Sequence, residues 1–471
     1  MSAAQVTGPL DPRTWLRDGW LWAALLVGFV LRAGMLAEWP QFECLRDECI
    51  YRGMAVTILE GHGLATSNKG WLPSPGYPYL MAASRAFFGS MFSLKIIQVF
   101  LSVASALMVY GITFDVSDRR AARIAAWLFA LNPTIAWFTN TWWIETVYIF
   151  FLCAAALWML AARRNSDLGQ AIVSGMMLGG AVLFRGVATY LPPFWVLAAI
   201  YPSEGDPFRW ETWWDSARQR WKTALAFVVA MALTVAPYSF YGSTHYGGFM
   251  ITDATAGHVL YLGNNDFPPL TFDYGNGMLT QPVFERYLSS GRRPCNREVP
   301  PVQSSSCEVQ ETVAWAMHHP SAWIARIPVR LAQMFNPNSF LTRHIRWGYW
   351  PGFPWWAKEA LTVTIIGFSS ALMLLGTIGA WGRARGPYAM MAVGTTLWTL
   401  FTIATSYGMT RFRLPLEAMW TVYLALFLAN PRACIEAIRQ DTWRLVGVLL
   451  TVPPVFALML WYLPTGFPAF W

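Results

Sequence analysis

Charge is what this sequence has least of. Only 13% of its 471 residues are Asp, Glu, Lys or Arg, and just four of those are lysine, against 55% hydrophobic. A chain so poor in polar side chains cannot cover itself against water. That excludes a string of soluble domains, although the length would fit about three. Histidine is sparse too, at six, and none of the six cysteines has zinc-like spacing with it. No metal site and no cofactor is therefore expected. Internal repeats are absent, and the halves do not match, which counts against an inverted-repeat transporter. The net charge of +8 is scattered over short loops and forms no patch, so nucleic acid is not an expected partner.

Long apolar runs are what the sequence has most of. Runs of about 20 residues recur from end to end, the length at which a helix crosses a bilayer. They fall near 18–37, 93–114, 121–138, 143–162, 168–185, 187–202, 223–240, 357–382, 387–406, 412–429 and 444–463. This predicts an all-α polytopic membrane protein of about eleven spans, because only helices satisfy every backbone group within one segment. Arginines recur in alternate loops: "DVSDRRAAR" (115–123), "ARRNSD" (162–167), "RQRWK" (218–222), then Arg383, Arg385, Arg432 and Arg439. The positive-inside rule puts that side in the cytoplasm. The setting is then a bacterial inner membrane, with the first span kept as an anchor. Two long loops, about 38–92 and 241–356, face the periplasm. Three parts follow: an N-terminal transmembrane module at 1–240 carrying the first loop, a large outward loop at 241–356, and C-terminal helices at 357–471.

Cys44, Cys49, Cys295 and Cys307 fall in the outward loops, where an oxidising space favours disulfides. Cys295 with Cys307 is the first pairing to expect, free thiols being the alternative. "FRWETWWDSARQRWK" (208–222) spaces Trp210, Trp213, Trp214 and Trp221 on a helix among basic residues, as in an anchor lying in the headgroup region. Three further interfacial helices are expected: 47–60, one after "LPSPGYP" with Pro78 in its first turn, and one in "HHPSAWIARIPVRLAQMF".

The stretch "LRDECIYRGMAVTILEGHGL" (45–64) carries the first chemical candidates. Asp47 and Glu48 start a helix. There they cap it, or its dipole keeps Asp47 ionised as a general base. Tyr51, four residues on, shares a face with Asp47 and can hold a sugar or phosphate oxygen; otherwise it is an interfacial aromatic. Against the general bias, Arg32, Arg185, Arg411 and Arg413 stand at the outer ends of spans. Arginine beside hydrocarbon needs a partner. Either these side chains snorkel or pair with Glu38, Glu145 or Glu417, or they share an anion, for which phosphate suits guanidinium best. Lys69 is a further phosphate candidate, and His62 a weaker one.

A carboxylate base beside a cationic phosphate site fits one reaction. A lipid-phosphate-linked sugar binds with its tail in the bilayer, and Asp47 takes a proton from an acceptor hydroxyl. The acceptor oxygen attacks the anomeric carbon in one displacement, with inversion, and the phosphate leaves with its electron pair.

In order along nearly the whole chain, "RDECIYRGMAVTILEGHGL", "PSPGYPYLMA", "WIETVYIFFL", "LGGAVLFRGVATYLPP", "APYSFYGSTHYGGFMITDATAGHVLYLGNND", "HHPSAWIARIPVRLAQMF" and "TRFRLPLEAMW" carry a resemblance. The chain resembles GT-C membrane glycosyltransferases of the protein O-mannosyltransferase superfamily, which includes the aminoarabinose transferase acting on lipid A. The resemblance implies a GT-C-like bundle with interfacial helices in its outward loops. It also implies a polyprenyl- or dolichyl-phosphate sugar donor and Asp47 as catalytic base. Tyr51 matches a tyrosine of the aminoarabinose branch. That branch's other acid, before the proline-rich turn, has no counterpart in "SNKGWLPSPGYP", so its sugar and acceptor are not carried over.

The expectation is thus an inverting glycosyltransferase with Asp47 as base. Glu48 and Tyr51 shape the site; Arg413, Arg185 and Lys69, with Arg411 behind them, hold the phosphate. The acceptor is a lipid, glycan or protein. The rivals are a transporter or lipid flippase, and a non-catalytic scaffold.

Overall fold

The structure, a computed structural model, describes residues 12–15, 17–37, 44, 47–64, 72–203, 206, 209–265, 295, 299–338, 340–345, 352 and 354–461. Helix dominates and no strand occurs among them. The N-terminal half runs α1 (Gly19–Ala37), α2 (Asp47–Leu59), α3 (Gly76–Phe88), α4 (Ser93–Val116), α5 (Arg119–Leu131), α6 (Pro133–Thr139), α7 (Glu145–Asn165), α8 (Leu168–Phe184), α9 (Pro192–Ala199) and α10 (Trp210–His245). The long stretch between residues 246 and 354 contributes α11 (Ala256–Gly263), α12 (Pro301–His318) and α13 (Pro320–Phe335). The chain continues with α14 (Trp355–Arg383), α15 (Pro387–Thr405), α16 (Leu414–Ala429), α17 (Pro431–Arg439) and α18 (Thr442–Trp461).

Eight helical runs among the described residues are long and apolar enough to span a bilayer: α1, α4, α7, α10, α14, α15, α18 and the Thr410–Ala429 run that contains α16. The other three of the roughly eleven expected runs are helical too, but shorter or broken. The helix α8 has 17 residues, about 26 Å at 1.5 Å per residue, at the lower end of a spanning length. It still packs between α7 and α10. Gly175 permits the close approach, since a Cβ there would lie 2.2 Å from the Phe227 carbonyl oxygen of α10. At 187–202, Pro192 and Pro193 start a fresh helix, leaving a 3-10 turn (Gly186–Tyr190) and the eight-residue α9.

The third difference, at 121–138, explains Arg32. Pro133 has no N–H, so α5 stops before it. Asn132 caps the next helix, its Oδ1 accepting from the Thr134 and Ile135 amides, both at 3.0 Å. The last carbonyls of α5 are left over. Arg32, buried in α1, donates to Ala130 O at 2.8 Å and to Phe129 O at 3.4 Å, and to Ser102 Oγ at 2.8 Å. A guanidinium at a helix C-terminus also complements the dipole. Arg32 therefore belongs to the fold.

Residues 210–222 do not form a separate headgroup helix. They are the first third of α10, a continuous helix of 36 residues, about 54 Å long. Trp210, Trp214 and Trp221 are exposed, and the Arg218 guanidinium lies 5.1 Å from the Trp214 ring. The expected break before the apolar span is not there.

The arginine-rich ends gather at one end of the bundle. Arg164 pairs with Asp115, Arg123 Nε donates to Asp18 Oδ2 at 2.9 Å, and Arg444 Nη1 donates to Gly382 O at 2.7 Å. The helices α2, α3 and α11–α13 lie toward the other end. There Arg330 ties α13 to Gly263 O at 2.7 Å and to Ala404 O at 2.6 Å. Two disulfides are present, Cys44–Cys49 and the expected Cys295–Cys307.

Candidate active site

Asp47 and Glu48 open α2, as the helix-start signals indicated, and a positive-φ glycine, Gly61 (φ 81°), follows its end. The apolar residues Ile50, Met54, Ile58 and Leu59 recur at helical spacing, but they do not together make the buried face. Glu48, Tyr51, Met54 and Ala55 are buried, and Leu59 is exposed. That face points the acids inward. Glu48 Oε1 accepts the Trp142 backbone N–H at 2.8 Å, which joins α2 to the α6–α7 link. Lys95 lies over the Trp142 ring at 4.7 Å. Tyr51 meets Tyr77 edge-on at 5.3 Å. Burial, and after it the charge of Asp47, pushes the Tyr51 hydroxyl up from its ordinary value, so it stays protonated and able to donate.

Asp47 does not bond the amides of its own helix. Its side-chain hydrogen bond runs across the molecule, Oδ2 accepting from Arg411 Nη1 at 2.9 Å. Arg411 sits on the 3-10 turn Thr410–Arg413 ahead of α16. Its guanidinium lies 4.3 Å from the centre of the Trp143 ring and 5.5 Å from that of Phe412.

Arg185 arrives from the end of α8, where extended backbone (φ −151°) stops the helix. Its guanidinium lies 5.1 Å from the centre of the same Phe412 ring and 5.6 Å from that of Tyr148. Its acid is Glu145, the first residue of α7, at 3.6 Å from Nη1 to Oε1. That distance carries attraction but no hydrogen bond. Two arginines from distant parts of the sequence therefore share one phenyl ring. Tyr407 meets that ring edge-on at 5.4 Å.

Several buried polar atoms here have no hydrogen-bond partner among the described residues: Arg411 Nε, Arg185 Nη1, Glu145 Oε2 and Thr410 Oγ1. Buried polar groups are usually satisfied, so a cluster of exceptions marks a place built for something else. The arrangement can hold an anion with several oxygens against Arg185 and Arg411, with the Asp47 carboxylate beside it. Among the described residues, no three His, Cys, Asp or Glu side chains stand together as a metal-holding group.

The cluster unites Asp47, Tyr51, Arg185 and Arg411, with Glu48 holding the adjoining backbone. Arg413 is not part of it. Buried at 1% exposure, it donates from Nε to Glu417 Oε1 at 2.9 Å and from Nη1 to Met334 O at 2.7 Å and Asn336 O at 2.9 Å. Its Nη2, like Arg411 Nε, is buried without a hydrogen-bond partner among the described residues. The other bonds of Arg413 pin α16 to the end of α13, and it is Arg411, expected to stand behind it, that reaches Asp47. Lys69 lies outside the described residues. His62 is exposed in the turn after α2. The residue that sequence reasoning undervalued is Glu145, weighed only as an ion-pair partner. Its signal was the same as that of Asp47, an acid at the outward start of a helix. Phe412 and Trp143 carried no signal beyond aromaticity.

No family model matches the chain, and no curated protein matches it by sequence. Solved structures do. The crystal structure of the Archaeoglobus fulgidus oligosaccharyltransferase tethered with an acceptor peptide superposes with a TM-score of 0.51 at 17% identity, covering 97% of this chain and 55% of that one. The apo form of the same enzyme gives 0.50 at 15% identity, covering 95% and 56%. ArnT from Cupriavidus metallidurans bound to undecaprenyl phosphate aligns more loosely, at a TM-score of 0.40 and 15% identity, over 87% of this chain and 76% of that one. The chain spans about half the length of the oligosaccharyltransferase (56% in the apo form). Likeness at such identities establishes the fold: this is an all-α polytopic membrane protein of GT-C architecture.

Proposed function

We propose that the protein is an inverting glycosyltransferase that moves a sugar from a polyprenyl-phosphate donor to an acceptor hydroxyl at the periplasmic face of a bacterial inner membrane. One observation carries the reading. Arg185 and Arg411 flank a single ring, each with a buried N–H that lacks an acceptor, and the Asp47 carboxylate adjoins them. Guanidinium forks suit phosphate oxygens, and a phosphate held there becomes a stabilised leaving group. The carboxylate supplies the base that the acceptor hydroxyl needs.

Other features point the same way. The fold is shared with an oligosaccharyltransferase, an enzyme of glycosyl transfer. The cluster lies at the end of the bundle away from the arginine-rich loops, which the positive-inside rule assigns to the cytoplasm. Two disulfides at the cluster's end suit an oxidising compartment. In the reaction, the acceptor oxygen bonds to the anomeric carbon as its proton passes to Asp47. The bond from that carbon to the phosphate oxygen breaks, its electron pair leaving with the phosphate. Tyr51 and Tyr407 border the site, and Glu145 keeps Arg185 in place. The acceptor is an envelope lipid, glycan or protein. The test is release of polyprenyl phosphate from a labelled polyprenyl-phosphate sugar by the purified protein with envelope extract. Transport of the intact donor across vesicles without cleavage would sink the proposal in favour of a flippase.

A further inference from the structure

The cluster neutralises itself. Asp47 and Glu145 face Arg411 and Arg185, two charges of each sign, in a site read above as holding a phosphate. The two pairs differ. Arg185 stands 3.6 Å from Glu145 and makes no hydrogen bond to it, so its Nη1 is available as it stands. Arg411 is bonded to Asp47 at 2.9 Å through Nη1. One of the two carboxylate oxygens, Oδ2, is thus held by Arg411, and the bond draws electron density from the base as a whole.

We infer that the donor's own phosphate releases the base. Bound first against Arg185 and the open Nε of Arg411, the phosphate draws the whole planar guanidinium of Arg411 away from Asp47. Its two non-bridging oxygens match a rigid fork of donors better than the single carboxylate oxygen that now holds Arg411. Trp143 and Phe412, lying against Arg411, give it a surface to slide on without losing its cation–π contacts. Asp47 then has both oxygens free for the acceptor hydroxyl. The base is thus engaged by Arg411 until a donor is in place, and donor binding precedes proton abstraction. This inference rests on the glycosyltransferase reading, and adds to it the order of events and a switching role for Arg411.

The two ideas separate in equilibrium binding of polyprenyl phosphate to the purified full chain in detergent. If Asp47 competes with phosphate for Arg411, Asp47→Asn should bind the lipid phosphate about three- to tenfold more tightly than the unaltered protein, a partly exposed charge-assisted pair being lost. Asp47→Ala serves as the second variant should the first fold poorly. In an Arg411→Gln background the same change should have no effect, because the contested group is gone. Unchanged or weaker affinity in Asp47→Asn overturns the release. So does an equal gain in the Arg411→Gln background, which would show simple repulsion between carboxylate and phosphate acting through space. If the unaltered protein does not bind polyprenyl phosphate at all, the glycosyltransferase reading itself falls. If it binds, and Asp47→Asn loses turnover with no change in affinity, that reading stands and only the release fails.

Discussion

Replacing Arg413 with glutamine tests whether the structure has sorted the arginines correctly. The side chain is 1% exposed, paired with Glu417 at 2.9 Å, and donates to two carbonyls at 2.7 and 2.9 Å. Glutamine can reach at most one of those carbonyls and leaves the Glu417 charge with Asn132, which donates to its Oε2 at 3.0 Å. Breaking a buried pair from one side costs about 3–5 kcal/mol, because an uncompensated charge stays behind. Spread over the unfolding entropy of 471 residues, that is a fall of about 3–5 °C in Tm. The fall is larger if only part of the bundle comes apart. The double variant Arg413→Gln/Glu417→Gln should recover most of the loss, since no lone charge remains. The assay is thermal unfolding of purified protein in detergent at one fixed scan rate, with polyprenyl-phosphate binding measured on the folded fraction. Donor affinity should stay within about twofold of the original, since the Arg413 side chain bonds Glu417, Met334 and Asn336 and none of the proposed site's side chains. Unchanged Tm with donor binding weakened tenfold or more would refute the assignment and return Arg413 to the phosphate.

Asp47→Asn should keep its thermal stability but lose roughly 10²–10⁴-fold in turnover, the usual worth of a positioned base; near-normal turnover in a folded sample would remove Asp47 as base. Arg185→Lys should weaken donor affinity by about tenfold with Tm unchanged, because lysine keeps the charge and loses the fork. If donor titrations show no change, Arg185 is only the partner of Glu145. Cys44–Cys49 and Cys295–Cys307 should both be bonded in protein isolated from an oxidising envelope, which non-reducing peptide mapping reads directly; free alkylation of all four would place this end of the bundle in the wrong compartment.

The polytopic helical fold was legible because hydropathy over about 20 residues is a strong signal. Its limits are visible at particular residues. A window centred on 121–138 averages straight across Asn132 and Pro133, and one on 187–202 across Pro192 and Pro193, so breaks inside apolar runs vanish. The opposite error occurred in α10. Changing composition near residue 222 suggested a boundary, yet no glycine or proline stands between Glu211 and Ala236 to break a helix. Polarity marks where a helix meets headgroups; only backbone chemistry marks where it ends.

The four outer arginines differ in what their own neighbourhood offers, and that difference decides their fate. Arg413 has an acid four residues on, Glu417, at the spacing where helical side chains meet, and it is paired there. Arg32 has no such acid, but Pro133 frees the carbonyls of Phe129 and Ala130, and it is bonded there. Arg411 has Pro415 four residues on, and Arg185 has Thr189; neither has a local anion or a freed carbonyl in reach. Arg32 and Arg413 also reach other helices, but there they bond backbone carbonyls, of Ala130 and Phe129 and of Met334 and Asn336. Arg411 and Arg185 reach acids distant in sequence, Asp47 and Glu145, and meet at Phe412. A membrane arginine held by backbone carbonyls serves the fold, and the place where two arginines converge on distant acids is where an outside anion can enter. The local half of this argument, the i+4 acid for Arg413 and its absence for Arg411, was readable in "TRFRLPLE". The convergence was not, because it depends on Glu145, Arg185 and Arg411 being brought together by helices that are distant in sequence.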